Sequence, residues 1–134
     1  MPKRPPTIPD SELDVLKVLW DRGQGTVRDV LQVLQDAGRQ WSYATVATLL
    51  DRLESKGMVS SDRSGLAFVF QPTIEAQEVR RKRVNHLVEK LYEGEPGLLV
   101  MHLLRSHPLP PDQTRQIRSL LDAMTEESSR PSGA

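Results

Sequence analysis

Cysteine is absent from the 134 residues, which excludes a disulfide framework, a thiolate zinc site, a thiol nucleophile and a dithiol switch. Histidine is scarce: His86, His102 and His107 stand alone, and the last two straddle an expected helix end. No metal site and no cofactor is therefore expected. Also missing is any uncharged apolar run near the roughly 20 residues that a membrane span needs. The longest, Leu98 to Leu104, is interrupted by His102. Lys3 and Arg4 are followed by Pro5, Pro6 and Pro9 rather than by an apolar stretch. No secretory leader is expected, and a cytoplasmic location without direct membrane association is the default. Charge of one sign is lacking too: 18 basic residues face 18 acidic ones, balanced on either side of Pro72. Bulk charge advertises no polyanionic partner, so such a partner must be read from local geometry. Phosphate-cradling glycine loops, H-E-x-x-H helices and G-x-S-x-G elbows are all missing, and no enzymatic activity is expected.

What is present is helical periodicity. Residues 1–9 are proline-rich and read as a flexible arm. In Asp10–Arg22 the residues Leu13, Val15, Leu16, Leu19 and Trp20 form one stripe, with Asp10 or Ser11 available as a cap and Gly23 as a stop. Thr26 and Asp29 make a capping pattern ahead of Val27, Val30, Leu31 and Leu34, ended by Gly38. Ser42 caps a third helix whose Val46, Leu49, Leu50 and Leu53 repeat until Lys56 and Gly57. Met58–Ser61 and Leu66–Phe70 are strand-like and flank the turn-forming Asp62-Arg63-Ser64-Gly65. Three helices and a hairpin over residues 10–72 have the arrangement of a winged helix-turn-helix domain. The fold class expected is mainly α with a small β-hairpin.

From Thr73 the pattern is helical again. Ile74, Val79, Val84, Leu87, Val88, Leu91 and Tyr92 mark a long amphipathic helix ended by Gly94 and Pro96. A nearly all-apolar helix follows at Leu98–Leu104, and Ile117, Leu120, Leu121 and Met124 mark a last one. Residues 73–126 are too few for a generous separate core, so a homodimer is expected. Its interface is assigned to Val84, Leu87, Val88, Leu91, Leu99, Leu103, Ile117, Leu120, Leu121 and Met124, with folding back onto the first lobe as the alternative. Residues 127–134 read as a disordered tail.

At about 100° per residue, the third helix turns Ala44, Thr48, Asp51 and Ser55 away from its apolar stripe, with Thr45 and Arg52 at the border. Small and hydroxyl side chains near a helix N-terminus suit a DNA major groove, where Thr meets a thymine methyl or phosphate and Arg addresses guanine. Ser42 and Tyr43 lie nearest the phosphates, and Arg63 and Ser64 at the hairpin tip suit a wing contact to the backbone. A merely solvated polar face is the competing reading. Asp51 and Asp62 oppose phosphate unless paired or turned aside. The run Arg80-Arg81-Lys82-Arg83 and the pair Lys3 and Arg4 are either flanking-phosphate contacts or solvated charge. Trp20 and Trp41 read as core. Two rival functions are a winged-helix module that recognises protein and a ligand-sensing regulator with a pocket between lobes.

The strings PDSELDVLKVLW (9–20), WSYATVATLLDRLESKGMV (41–59) and FVFQP (68–72) resemble the penicillinase repressor family of bacterial transcriptional regulators, from about Ile8 to Met124. The resemblance implies a winged-helix homodimer on a palindromic DNA operator, with Ser42, Thr45, Thr48 and Arg52 at the recognition positions. Ala44 stands where characterised members often have Lys, and Leu66 where the wing often has Arg. The resemblance also implies a membrane sensor protease as partner and cleavage in the dimer lobe at the bond His102–Leu103. Copper-responsive relatives use C-terminal cysteines, which this chain lacks.

Overall fold

A computed structural model of the chain describes residues 8–129. Its elements are α1 (Asp10–Arg22), α2 (Val27–Asp36), α3 (Tyr43–Ser55), β1 (Val59–Asp62), β2 (Val69–Pro72), α4 (Ala76–Leu91), α5 (Pro96–Ser106) and α6 (Pro111–Ser129). Two compact units divide between Arg83 and Val84, within α4.

The first unit is built on the stripes that periodicity marks. Val15, Leu16, Leu19, Val30, Val46, Leu50 and Leu53 are all buried in one cluster with Met58, Val59 and Phe70. Trp20 and Trp41 pack against it, and the Trp20 indole N–H donates to the carbonyl of Ile74 at 2.8 Å. Ile8, assigned by sequence to the flexible arm, is buried in this cluster. Lys3 and Arg4, read as flanking-phosphate contacts or solvated charge, lie outside the described residues. One charge is also enclosed: Glu12 is 1% exposed and is paired with Lys56 Nζ at 2.7 Å. That pair ties the end of α3 to α1, and a buried carboxylate of this kind is tolerable only with such a partner.

Local chemistry sets the boundaries. Pro9, not Asp10 or Ser11, is the N-cap of α1, and no side chain caps it; Asp10 is instead drawn 3.0 Å from Arg83 Nη2. At Thr26 the capping box is complete: its hydroxyl accepts from the Asp29 amide at 3.1 Å, and the Thr26 amide donates to Asp29 Oδ2 at 3.0 Å. The Thr26 amide is the chief reason that Asp29 is held below the usual carboxylate range. α3 ends in a left-handed Gly57 (φ 77°), with Met58 N–H donating to Leu53 O and Gly57 N–H to Glu54 O, both at 2.9 Å.

β1 and β2 pair antiparallel, Val59 opposite Pro72 and Asp62 opposite Val69. Gly25 adds a bridge to Phe70, with N–H···O bonds in both directions of 2.9 and 2.8 Å. The hairpin is placed further along than Met58–Ser61 and Leu66–Phe70, and its connection, residues 63–68, is longer than the four-residue turn expected.

In the second unit α5 and α6 contain no buried residue. α5 starts at Pro96, whose fixed φ suits the first helical position; its sequence reading as a terminator of the preceding helix missed this second role. α6 continues to Ser129, past the expected limit of 126, and the rest of the assigned tail lies outside the described residues. No helix among the described residues is long and apolar enough to cross a membrane.

Candidate nucleic-acid interface

α3 presents two unlike sides. Val46, Leu49, Leu50 and Leu53 are buried, while Ser42, Tyr43, Ala44, Thr45, Thr48, Asp51, Arg52 and Ser55 are exposed. Ser42 is the N-cap, its Oγ accepting from the Thr45 amide at 3.2 Å and lying 3.1 Å from the Thr45 hydroxyl. These two hydroxyls form one polar edge at the start of the helix. Tyr43 carries a cation on its half-exposed ring: the Arg28 guanidinium of α2 sits 5.5 Å from the ring centroid. Such stacking leaves the guanidinium N–H edges available.

The hairpin side chains are more constrained than their exposure suggests. Arg63 Nη2 is 2.8 Å from Glu54 Oε1 of α3, its Nε donates to Ser61 Oγ at 3.1 Å, and its guanidinium lies 4.7 Å from the Phe68 ring centroid. Ser61 also donates its hydroxyl to Glu54. That hydroxyl first, and Arg63 second, hold the Glu54 carboxyl below the ordinary glutamate range. At the turn, Ser64 donates both its hydroxyl (2.6 Å) and its amide (2.9 Å) to Asp62 Oδ1, which lowers the Asp62 pKa. Asp62 is thus committed within its own turn. Glu54, Ser61 and Phe68 form a bracket around Arg63 that sequence reasoning missed. Its trace in the sequence is slight: an acid in the last turn of the third helix and a serine two residues before Arg63.

In the basic run, Arg83 is bound to Asp10 and to the Ile8 carbonyl, and Lys82 lies 3.6 Å from Glu78. Arg80 and Arg81 are exposed.

A polar helix face beside a hairpin, on a three-helix core, is the winged helix-turn-helix arrangement. Residues 8–123 match the penicillinase repressor family. The chain belongs to that family. It is 27% identical to a penicillinase repressor of Bacillus licheniformis over 120 residues, 90% of this chain and 93% of the relative. It is 23% identical to the methicillin resistance regulatory protein MecI of Staphylococcus aureus (strain N315) over 86% of this chain and 93% of that protein. The solution structure of the DNA binding domain of the repressor BlaI is similar, with a TM-score of 0.50 and 34% identity. That likeness covers 57% of this chain and 92% of the BlaI domain. The fold expected from sequence, mainly helical with a winged helix, is thereby established for this penicillinase repressor family member.

Of the side chains assigned to a dimer interface, Val84, Leu87, Leu91, Leu103, Leu120, Leu121 and Met124 are exposed in the single chain, Leu99 and Ile117 are half-buried, and Val88 is buried. Leu120 and Met124 are 65% and 63% exposed, one turn apart on α6. The His102–Leu103 bond lies within α5, with the His102 ring edge-on to Tyr92 at 6.3 Å between centroids.

Proposed function

We propose that the protein is a transcriptional repressor that binds a palindromic operator in double-stranded DNA as a homodimer. The outward side of α3 enters the major groove, and the hairpin lies along the adjoining backbone. One observation carries this reading: with its four apolar residues buried, α3 offers Ser42, Thr45, Thr48 and Arg52 together to solvent. These are the residue types that meet base edges and phosphates. In this assignment Arg52 reads a base, Thr48 contacts a base methyl or phosphate, and Ser42, Tyr43, Ala44 and Thr45 fit against the backbone at the groove edge. Arg63 and Ser64 belong to the wing contact.

The apolar faces of α4, α5 and α6 supply the dimer contact. Isolated exposed leucines need no explanation, but this many along three consecutive helices mark an association surface. Derepression by a membrane sensor protease is carried over from the family resemblance. The scissile bond is His102–Leu103, and cutting it would separate α6 from α4 and the first half of α5.

The test is a mobility-shift titration with duplexes tiled across the region upstream of the gene. Sequence-specific, salt-sensitive binding is expected, and Arg52→Ala and Thr48→Ala should each weaken it about 10-fold or more while sedimentation still reports a dimer. Absence of DNA binding even at low salt would point to a protein-recognition module instead.

A further inference from the structure

The chain has no net charge, so its attraction for a polyanion depends on which cations are left uncompensated. Between Asp10 and Pro72 most are cancelled in place. Arg22 lies 3.6 Å from Asp29, Arg39 2.7 Å from Asp14, Lys56 2.7 Å from Glu12 and Arg63 2.8 Å from Glu54. Lys17, Arg28 and Arg52 have no carboxylate partner among the described residues. Arg52 is already placed on the α3 surface. Of the other two, only Arg28 is held against that surface, by the ring of Tyr43, the first residue of α3.

The contact has a physical logic. A guanidinium over an aromatic face is attracted by the ring quadrupole yet keeps its in-plane N–H donors. The Tyr43 ring therefore restricts the long Arg28 side chain without neutralising it, unlike the carboxylates that hold Arg39 and Arg63. Restriction in advance lowers the entropy lost when a phosphate is bound. Arg28 also lies two residues after Thr26, whose capping box with Asp29 fixes the first turn of α2, so its backbone origin is rigid.

We propose that Arg28, laid on Tyr43, is a phosphate-binding residue of the DNA interface and supplies more of its electrostatic attraction than the wing arginine Arg63. Tyr43 is its positioning residue. The inference rests on the repressor reading and adds to it a contact from α2 that the recognition-helix pattern does not contain.

The test uses the full chain and a fluorescein-labelled mixed-sequence duplex of about 30 base pairs, because phosphate contacts carry no sequence information. Fluorescence anisotropy gives the affinity across roughly 50 to 200 mM salt. Arg28→Gln should reduce the slope of log affinity against log salt by about 0.9 for each bound protomer, with an affinity loss of about 5- to 10-fold at the lower salt. Arg28→Lys should restore the slope, and Arg63→Gln should change it less than Arg28→Gln. Tyr43→Leu should keep the slope and lose affinity, and should lose little more when Arg28 is already Gln, which separates positioning from a contact of its own. A wild-type slope in Arg28→Gln, with its melting temperature unchanged, overturns the proposal. So does a larger slope change in Arg63→Gln, and unchanged affinity in Tyr43→Leu removes the positioning role. A wild-type chain that binds no duplex at about 50 mM salt overturns the repressor reading itself, a result distinct from these.

Discussion

The two units of this chain hold equal numbers of leucines and use them to opposite ends. In the first, Leu16, Leu19, Leu50 and Leu53 are fully enclosed, and even the buried carboxylate of Glu12 has its cation. In the second, Leu98, Val100, Met101, Leu103 and Leu104 on α5 are all exposed. The first unit closes its own core, whereas the second presents apolar faces that no part of α5 or α6 covers in the single chain. In the proposed dimer, stability and assembly fall to different segments, and substitutions in one should leave the other's property intact.

The sharpest way to break this division is at Leu50. Its complete burial makes Leu50→Ala a cavity-forming change, expected to cost about 2 to 5 kcal/mol in a urea titration followed by the two tryptophans, both in the first unit. At the opposite pole, Leu120→Asp places a charge on an exposed part of α6. It should convert the proposed dimer to monomer in sedimentation velocity, with the tryptophan-reported unfolding of the first unit moved by less than about 0.5 kcal/mol. A variant that stays dimeric would show that α6 is not at the interface.

The smallest effect expected is at the start of α2. Thr26→Ala removes the hydroxyl half of the reciprocal cap and should cost about 1 kcal/mol at neutral pH. Asp29 adds a pH dependence whose sign follows from its lowered pKa. The folded state holds the charged carboxylate more readily than the unfolded chain. The resulting stability is present above the unfolded value of about 4 and is lost as pH falls through the lower folded value. The difference between wild type and Asp29→Ala should therefore shrink in urea titrations below about pH 3, whereas Thr26→Ala keeps the backbone amide that holds the Asp29 charge.

Much of this was legible in the sequence, for a definable reason. α1, α2 and α3 carry apolar stripes at helical spacing together with strong local signals: Thr26 and Asp29 three apart, Ser42 before the third stripe, and Gly57 after it. Their fates are decided within one or two turns. The hairpin was harder to bound, because Val59–Asp62 contains three polar residues and is paired through contacts with Val69–Pro72 that local alternation does not reveal. Proline at 96 reads as an end or a beginning depending on which neighbour is weighed, and the structure uses it as a beginning. Least legible were the pairs across elements. Arg28 over Tyr43 and Arg63 against Glu54 are separated by 15 and 9 residues, and neither spacing is repeated by any periodic rule. The candidate recognition surface could be read from one helix, but which arginines remain electrically free could not.

The double backbone bond between Gly25 and Phe70 has a mechanical corollary. It fastens the second strand of the hairpin, toward its connecting end, to the strand-like link just ahead of α2, three residues before Arg28. In the proposed complex, a duplex that tugs on the wing would also load the helix bearing Arg28, so groove width and bend at one contact would be felt at the other, and a sequence too stiff to satisfy both would be discriminated against without a single base being touched.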